Sequence, residues 1–505
     1  MTRLDARTLR DLVLDPGSWR SWDTPVGHRD VDPAYAEELR AAAAASRQDE
    51  AVVTGEGSLR GRRVAVVAGE FGFLAGSIGV ATAERLVAAV ERATDEGLPL
   101  LAAPVSGGTR MQEGTVAFLQ MIGITAAIAR HKAAGLPYLV YLRDPTFGGV
   151  LASWGSTGHV TIAEPGASIG FLGPRVYSAL YGERFPEGVQ TAEHLARRGL
   201  IDAVVPHEDV ADLADRALSV LSARRTWHRD VRDAERPGPD DGADTDDPED
   251  GRSAWDVVTA SRRTDRPGVR RLLRTAATDV VGLSGTGAGE KDPGLLLALA
   301  RFGGAPCVVL GQDRRGQSLS APLGPAALRE ARRGMRLAAE LHLPLVTLID
   351  TPGAALSVEA EEGGLAGEIA RCLEDLVTLR APTLAVLLGQ GTGGGALALA
   401  PADRVLAAAN GWLGPLPPEG ASAIVHRTVD RAPEMAAAQG VRATDLWRAG
   451  IVDRVVPERP DAADEPVEFC RRLGRVLGDE LAGLLGRDDA ERHRSRLHRY
   501  RHLGR

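Results

Sequence analysis

The same order of apolar runs and glycine-rich turns occurs twice along this chain, and this repetition limits the folds that it can adopt. Four pairs of phrases match. Leu98-Pro99 matches Leu343-Pro344, and Leu136-Pro137 matches Ala381-Pro382, both with an offset of 245 positions (98 to 343 and 136 to 381). Thr146–Val150 matches Thr392–Ala396 with an offset of 246 (146 to 392), and RRGLIDAVVP (Arg197–Pro206) matches RAGIVDRVVP (Arg448–Pro457). One short match arises easily by chance, but four in the same order indicate internal duplication. With 505 residues, each half is long enough to bury its own core.

In both halves, apolar runs of strand length alternate with segments of helical spacing. The predicted strands are Val64–Ala68, Leu98–Val105, Leu136–Leu142, Ala305–Asp313, Leu343–Asp350 and Ala381–Leu388. The predicted helices are Ala83–Thr94, Gly114–Ala134, Ala326–Leu341 and Leu365–Leu379, and Asp32-Pro33 is expected to open another. Continuous apolar strands between helices are typical of a parallel sheet covered on both faces. The sequence therefore predicts an α/β fold in each half.

A break in composition separates the halves. Residues 228–252 are acidic, rich in Pro and Gly, and nearly free of apolar side chains. Such a segment cannot bury enough surface to offset the entropy lost on ordering. We therefore expect a flexible linker between an N-terminal domain at 1–227 and a C-terminal domain at 253–505.

Two glycine-rich turns follow strands directly in each half. They are Ser106–Arg110, Thr146–Val150, Asp350–Ala354 and Gly391–Ala396. Turns of this kind can leave backbone N–H groups free to bind an anion, and if the anion forms only in the transition state they make an oxyanion hole. None carries the GxxxxGK[ST] pattern of a P-loop. Gly391–Ala396 taken alone is equally compatible with a tight connection.

Acid–base and nucleophilic machinery is not evident. The one GxSxG match considered, Gly166–Gly170, follows Glu164-Pro165 and precedes FLGPR, so we interpret it as a turn or short strand and not as a nucleophile elbow. His159 is expected to be a structural, hydrogen-bonded residue. No metal-ligand spacing is found for the remaining histidines considered, His131, His194, His342 and His426. The chain thus suits a reaction whose substrates or cofactor bring their own base, and no metal is predicted.

Charge and cysteine usage restrict the partners. The formal net charge of -8 argues against a general nucleic-acid binder. The three cysteines are far apart and contain no CxxC pair, which fits a reducing cytosol. No apolar signal region and no run of membrane-spanning length is found. We expect a cytoplasmic protein without nucleic-acid or membrane partners.

The wording of both halves resembles a known family. The first half resembles the β subunit of bacterial acetyl-CoA carboxylase carboxyltransferase in SGGTRMQEG (Ser106–Gly114), LPYLVYLRDPTFGGVLAS (Leu136–Ser153) and IAEPGASIGFLGPR (Ile162–Arg175). The second resembles the α subunit in LIDTPGAALSVEAEEGG (Leu348–Gly364), GTGGGALALAPADRV (Gly391–Val405) and LPPEGASAI (Leu416–Ile424). The resemblance covers about residues 51–206 and 300–457 and implies two tandem crotonase-like spirals in a fused β–α chain.

This resemblance implies a carboxyltransferase. A carboxyl group would move from carboxybiotin on a carrier protein to the α-carbon of a short acyl-CoA, with acetyl-CoA giving malonyl-CoA as the first expectation and fatty acid biosynthesis as the setting. Acyl-CoA would bind the first half and biotin the second, with the active site between protomers of a homodimer or larger homo-oligomer. The chain has no biotinylation motif and no evident ATP-binding motif, so the biotin carboxyl carrier protein and biotin carboxylase would be separate chains.

The family motifs also imply site residues. The catalytic N–H groups would belong to Gly108 and Thr109 for the thioester oxygen and to Gly395 and Ala396 for the biotin ureido oxygen. The other implied substrate-binding residues are Gly107, Arg110, Gly148, Gly149, Arg175, Gly353 and Gly394. For Arg110 and Arg175, a contact with CoA phosphates and a structural ion pair are both open. Since both reaction anions would be enolates, paired oxyanion holes fit the chemistry.

Some features depart from the family pattern. The chain lacks the four-cysteine zinc ribbon, Thr109 replaces the usual alanine, and DTPGAALS replaces a phrase that usually contains an aromatic residue. These departures affect the acyl substrate more than the reaction class. Two alternatives remain at this stage: a biotin-independent malonyl-thioester decarboxylase of the same superfamily, and a non-enzymatic scaffold, against which the intact glycine motifs in both halves argue.

Overall fold

The computed structural model describes residues 3–26, 31–108, 110–171, 173, 177–179, 182–223, 251–318, 321–499 and 501. Thr109, Arg175 and nearly all of the expected linker lie outside these described residues. The chain divides into two compact units. The first comprises Met1–Ser222 with Gly287–Glu290, and the second comprises Ala223–Thr286 with Lys291–Arg505.

The first unit is built on a sheet with the strand order β1-β2-β3-β4-β5-β7-β9. Its strands are β1 (Arg20–Ser21), β2 (Val52–Leu59), β3 (Arg62–Gly69), β4 (Leu100–Ala103), β5 (Tyr138–Leu142), β7 (Val160–Ala163) and β9 (Ala203–Val204), while β6 (Thr146–Phe147) and β8 (Ile169–Gly170) form a separate parallel pair. The first two neighbouring pairs of the large sheet are antiparallel and the remaining pairs are parallel.

Helices cover this sheet. The described α-helices are Ala6–Val13, Pro33–Ser46, Val80–Asp95, Gly114–Ala133, Ala192–Arg197 and Val210–Leu221, and shorter helical turns are Leu74–Gly76, Met111–Glu113, Leu151–Gly155 and His207–Asp209. Pro33–Ser46 begins where Asp32-Pro33 predicts, because the Asp32 carboxylate accepts the N–H of Ala34 and Pro33 already has a helical φ. The core is formed by buried side chains such as Leu86, Ile124 and Tyr138.

The second unit repeats this plan in the order β10-β11-β12-β13-β14-β15-β17. Its strands are β10 (Thr278–Leu283), β11 (Leu295–Phe302), β12 (Ala305–Gln312), β13 (Leu345–Thr351), β14 (Thr383–Thr392), β15 (Arg404–Ala408) and β17 (Arg454–Val456), with β16 (Trp412–Gly414) paired to the end of β14. Two antiparallel pairs are again followed by parallel pairs.

The described helices of the second unit are Ala254–Ser261, Val269–Ala276, Pro325–Leu341, Val358–Glu362, Leu365–Thr378, Gly393–Leu397, Pro418–His426, Ala432–Ala438, Ala443–Arg448, Pro466–Leu485 and Asp489–Arg499. The strands and helices predicted from the sequence are confirmed, although their ends differ by a few residues: β14, for example, continues past the predicted Leu388 to Thr392. Within the described part of the chain, every helix is too short or too polar to cross a membrane.

Strand register confirms the internal duplication. Leu100 lies opposite Tyr138 in the first unit, and Leu345 lies opposite Thr383 in the second, so both partners are displaced by 245 positions (100 to 345 and 138 to 383). The third sequence match was wrong by one residue. Ser106 pairs with Thr146 and Thr351 pairs with Gly391, which again gives 245 (106 to 351 and 146 to 391). The structural counterpart of Thr146–Val150 is therefore Gly391–Gly395.

One buried carboxyl of the second unit has an unusual environment. Glu330, on the helix Pro325–Leu341, is 2% exposed; its Oε1 accepts the N–H of Gly285 at 2.8 Å, and its Oε2 has no partner among the described residues. Burial raises its pKa to about 7, and the backbone N–H groups of Gly285 and Asp292, followed by the positive charges of Arg333 and Lys291, oppose this rise only in part. Glu330 is therefore held as a neutral acid below neutral pH.

We expect Glu330→Gln to stabilise the protein more strongly at pH 8 than at pH 4.5. The folded-state pKa lies above the ordinary 4.5, so wild-type stability is fully present below pH 4.5 and is lost as the pH rises through about 7. The difference in the free energy of unfolding between variant and wild type should grow by about 3 kcal/mol over this range. Urea denaturation at several pH values measures it, and a difference that does not change with pH contradicts the expectation.

Candidate active site

The first glycine-rich turn follows β4. The Gly108 N–H donates to the Ser106 hydroxyl at 3.0 Å, and this hydroxyl lies 3.1 Å from the Gly108 carbonyl oxygen. Gly108 has a φ of 129°, a conformation that residues with a side chain rarely adopt. The Gly107 N–H donates to the Ala75 carbonyl at 2.8 Å. The N–H groups of Gly107 and Gly108 thus have partners within the protein, whereas the sequence assigned the Gly108 N–H to the substrate.

The second turn of the first unit lies directly against the first. The Phe147 N–H donates to the Ser106 carbonyl at 2.9 Å. Gly148 has a φ of 68°, and a Cβ atom placed on it would lie 3.2 Å from the Gly108 Cα. Its N–H donates to the Phe171 carbonyl, but the N–H groups of Gly149 and Val150 have no acceptor among the described residues. The structure therefore brings Gly108, Gly148 and Gly149 together.

An open cavity of about 770 Å³ adjoins these turns. Its lining includes Leu74, Ala75, Gly107 and Met111. Leu74 and Ala75 both have positive φ values, 44° and 55°, which are strained for residues with a side chain. Strain of this kind persists only where the surroundings hold it, and here the Ala75 carbonyl is held by the Gly107 N–H. The cavity offers space for a ligand beside the first turn.

Arg110 lies behind the turn. Arg110 and Glu50 are both 0% exposed, and the guanidinium forms two hydrogen bonds with the Glu50 carboxylate, one of 2.9 Å. It also donates to the Ser77 carbonyl and to the Thr82 hydroxyl. Burial alone would lower the pKa of Arg110, but the Glu50 carboxylate outweighs it and raises the pKa. Of the two roles open for Arg110, the structure thus favours the buried ion pair over the CoA-phosphate contact, while Arg175 lies outside the described residues.

The second unit repeats the first turn. The Gly353 N–H donates to the Thr351 hydroxyl at 3.2 Å, this hydroxyl lies 3.1 Å from the Gly353 carbonyl oxygen, and Gly353 has a φ of 138°. These contacts match those of Ser106 and Gly108. The next residue, Ala354, has an N–H without an acceptor among the described residues. Sequence reasoning missed Ala354, although an offset of 245 from Thr109 would have pointed to it.

The neighbouring turn starts the helix Gly393–Leu397. In a helix that begins there, the N–H groups of Gly394 and Gly395 have no intrahelical acceptor. Ala396 is 0% exposed. A Cβ placed on Gly395 would lie 3.4 Å from the Ala354 N. The arrangement therefore brings Gly395 next to the Ala354 N–H, with the buried Ala396 directly after it in the helix.

A buried acid lies beneath this pair of turns. Asp350 Oδ1 accepts the Gln390 N–H at 3.1 Å, and Oδ2 is 3.6 Å from Arg314 Nη1. Burial raises the pKa of Asp350, with Arg314 opposing the shift. Asp350 connects the end of β13 to β14, so it helps hold the two turns side by side. No sequence motif indicated this role.

The other sequence candidates are structural. Ser168 directly precedes the short strand β8, so a strand and not a helix begins at the next residue. His159 is buried, and its Nδ1 accepts the Tyr138 N–H at 2.9 Å. Among the described residues, no group of three His, Cys, Asp or Glu side chains is arranged to hold a metal ion. What the two units share is a pair of adjoining turns with free backbone donors.

Comparison with known proteins identifies the class. Residues 2–481 match the carboxyl transferase domain family, and this chain belongs to that family. It is 61% identical to a "Probable biotin-dependent acyl-coenzyme A carboxylase beta3 subunit" of Mycobacterium tuberculosis (strain ATCC 25618 / H37Rv), over 100% of this chain and 99% of the relative. It is 38% identical to "Acetyl-coenzyme A carboxylase carboxyl transferase subunits beta/alpha" of Salinispora tropica, over 100% of this chain and 91% of the relative.

Solved structures confirm the expected fold of two tandem crotonase-like domains. Transcarboxylase 12S, crystallised with methylmalonyl-coenzyme A and methylmalonic acid, matches with a TM-score of 0.73 at 22% identity, over 94% of this chain and 90% of that one. A single-chain, multi-domain long-chain acyl-CoA carboxylase matches with a TM-score of 0.72 at 19% identity, over 94% of this chain and 46% of that one. At these identities the likeness concerns the fold alone.

Proposed function

We propose that this chain, an enzyme of the acyl-CoA carboxylase carboxyltransferase family, transfers a carboxyl group from biotin on a carrier protein to the α-carbon of a short acyl-CoA. The observation that carries the proposal is the duplicated pair of turns: each unit offers backbone donors at the same topological position. Acetyl-CoA, giving malonyl-CoA, is the first acyl substrate we propose. The α-proton of the acyl group moves to biotin as the carboxyl group moves the other way, so the exchange balances without an oxidant or reductant.

In this proposal each unit stabilises one developing oxyanion. Val150, the counterpart of Gly395, and the residue after Gly108, Thr109, serve the thioester oxygen in the first unit beside Gly149, while Ala354 and Gly395 serve the ureido oxygen of biotin in the second. Gly107, Gly108, Gly148 and Gly353 shape the turns, and Gly394 allows the ligand to approach. Biotin supplies the carboxyl group and the base. Donors preorganised in this way contribute about 3 kcal/mol each to transition-state stabilisation.

The residues available for biotin fit the group in chemical type. A ureido oxygen is an acceptor without a formal charge in the ground state, and backbone N–H groups bind it without requiring a cation. Among the described residues, the nearby positive charge of Arg314 is paired with the Asp350 carboxylate, so it does not require a negatively charged ligand to neutralise it. The pair therefore suits an oxygen whose negative charge appears only during reaction.

Two comparable sites favour transfer over simple decarboxylation. A malonyl-thioester decarboxylase needs one oxyanion hole for its enolate, so its reaction would not require backbone donors in a second hole. Here the second unit retains the Thr351 hydroxyl and the positive φ of Gly353, which repeat those of Ser106 and Gly108 in the first unit, and it also offers the Ala354 N–H. Transfer to biotin is therefore favoured over decarboxylation without biotin, and an assay with and without biotin distinguishes the two reactions.

The reverse reaction provides the test. Purified chain is incubated with malonyl-CoA and free biotin, and acetyl-CoA is measured with and without biotin. We expect acetyl-CoA formation to require biotin and to increase with a biotinylated carrier protein. Formation at the same rate without biotin supports the decarboxylase alternative, and no reaction across a panel of carboxylated acyl-CoAs contradicts the proposed activity.

The proposal includes a homodimer or larger assembly with separate biotin carboxylase and carrier chains. The helix Gly114–Ala133 supports it, because four large apolar side chains on it are more than half exposed: Val116, Phe118, Leu119 and Ile122. An apolar surface of this kind usually marks an interaction site. Sedimentation of the purified chain tests this part, and a monomer at micromolar concentration contradicts it.

The proposal also includes a cytoplasmic location. Cys307, Cys372 and Cys470 are buried thiols without disulfide partners, as expected in a reducing compartment. Cell fractionation of the native host tests this, and recovery of the protein outside the cytoplasm contradicts it.

A further inference from the structure

Gln312 connects the two turns of the second unit. It is the last residue of β12 and is 0% exposed. Its Nε2 donates to the Gly395 carbonyl at 2.7 Å, and its Oε1 accepts the Asp350 N–H at 3.1 Å. A carbonyl can only accept and a backbone N–H can only donate, so these two partners fix the orientation of the amide. A single side chain thus bridges the start of the turn Asp350–Ala354 and the residue Gly395.

The bond to Gly395 replaces a missing helical one. In a continuing α-helix the Gly395 carbonyl would accept the N–H of Leu399. The helix ends at Leu397, however, and the Leu399 N–H donates to the Ala396 carbonyl instead. Gln312 supplies the partner that the carbonyl would otherwise lack. Since helical N–H and C=O groups point in opposite directions along the axis, holding the carbonyl from one side leaves the Gly395 N–H directed to the other side.

The first unit lacks this device. Val308 is paired with Leu345 in the second unit as Ala65 is paired with Leu100 in the first, an offset of 243 for this strand (65 to 308). The same offset places Gln312 at the position of Gly69, which has no side chain. The first sheet forms the same topology without such an amide. The fold alone therefore does not explain a buried glutamine at this position.

We propose that Gln312 is a positioning residue, which fixes the separation and direction of the Ala354 and Gly395 N–H groups at the biotin side of the reaction. It touches neither substrate and acts through the two turns. This inference rests on the proposed carboxyl transfer and adds a residue that controls the donor pair of one half only. Loss of the bridge should lower the rate of transfer to biotin without changing the binding of acyl-CoA in the other unit.

Two substitutions test this role. Gln312→Met keeps the length of the side chain and removes both hydrogen bonds, while Gln312→Glu keeps an acceptor for Asp350 and removes the donor to Gly395. Thr347→Val is the matched control, because the buried Thr347 hydroxyl donates to a carbonyl just after the same helix, that of Leu399 at 2.8 Å, yet it contacts neither turn. All variants are compared with wild type in malonyl-CoA:biotin transfer, together with calorimetric acyl-CoA binding and thermal unfolding.

For both Gln312 variants we expect kcat to fall at least tenfold, KM for malonyl-CoA and acyl-CoA affinity to stay within twofold, and Thr347→Val to retain wild-type kcat. A folded Gln312 variant with wild-type kcat overturns the positioning role while leaving the proposed function intact. An equal loss of kcat in Thr347→Val, or failure of both Gln312 variants to fold, also overturns it, since Gln312 would then be a purely structural residue. Transfer absent from wild type contradicts the proposed function itself.

Discussion

Gly395→Ala is expected to lower kcat for carboxyl transfer by about a hundredfold, the effect of removing one donor from an oxyanion hole. The added Cβ would lie 3.4 Å from the Ala354 N and 3.5 Å from the Ala354 Cβ, an ordinary contact that requires no backbone shift. The methyl group would therefore fit the fold while occupying the space in front of the Ala354 N–H. Because acyl-CoA is assigned to the other unit, KM for malonyl-CoA should change little.

The matched control for this substitution is Gly483→Ala. Gly483 lies in the helix Pro466–Leu485, and a Cβ there would meet no atom within 4 Å. Alanine is the better helix former at such a position, so this variant should retain full activity and at least wild-type stability. Wild-type kcat in a folded Gly395→Ala protein would rule out the Ala354 and Gly395 pair as the biotin-side donors.

Arg110→Met is expected to destabilise the protein by about 3–5 kcal/mol, because it leaves the Glu50 carboxylate buried without its partner. Most of this loss of stability comes from the buried Glu50 charge that is left unpaired, and not from the net stabilisation that the ion pair itself provides. The double variant Arg110→Met with Glu50→Met should therefore recover much of the lost stability. Urea denaturation of the full chain, followed by tryptophan fluorescence, measures the shift.

An exposed pair provides the comparison for Arg110. Arg471 and Glu468 form an i,i+3 ion pair on the surface of the helix Pro466–Leu485, with side chains 61% and 62% exposed. Arg471→Met should cost less than about 1 kcal/mol, as is usual for surface ion pairs. A similarly small loss for Arg110→Met would refute the structural role of the Arg110–Glu50 pair, and full stability of the single variant combined with weaker CoA binding would return Arg110 to the substrate.

The sequence was sufficient for the fold because periodicity and repetition are local signals. Apolar runs such as Leu343–Asp350 predict buried strands, and equal offsets between runs predict equal topology. The slip of one residue at Thr392 arose because the strings TFGGV and TGGGA look alike, whereas the offset is set by strand register and by the positive φ of Gly148 and Gly393. Similar letters did not reveal which glycine takes the left-handed conformation.

Side-chain roles were less accessible, since they depend on partners distant in the sequence. Arg110 is paired with Glu50, sixty positions earlier, and no local sequence pattern around either residue indicates the pair. Gln312 reaches Gly395 through a contact that spans 83 positions. The free donors of the last turn were inaccessible for a different reason: the starting residue of a helix decides which N–H groups remain free, and a run of three glycines leaves that start undefined in the sequence.

The constant offset between the two copies also records where their lengths have been held equal. From β4 to Gly148, and from β13 to Gly393, no residue has been gained or lost by one copy relative to the other, since 245 separates both ends (100 to 345 and 148 to 393). Beyond the turns the spacing drifts: Ile162 corresponds to Leu406, but its strand neighbour Ala203 corresponds to Arg454, so the offset grows from 244 to 251. The segment from β4 to the second turn, residues 100–148 and 345–393, therefore has the same length in both copies. Evolutionary change in loop size, and any engineered insertion intended to alter the ligand, belongs outside this segment: after the second turn, or before β4, where the offset rises from 243 to 245.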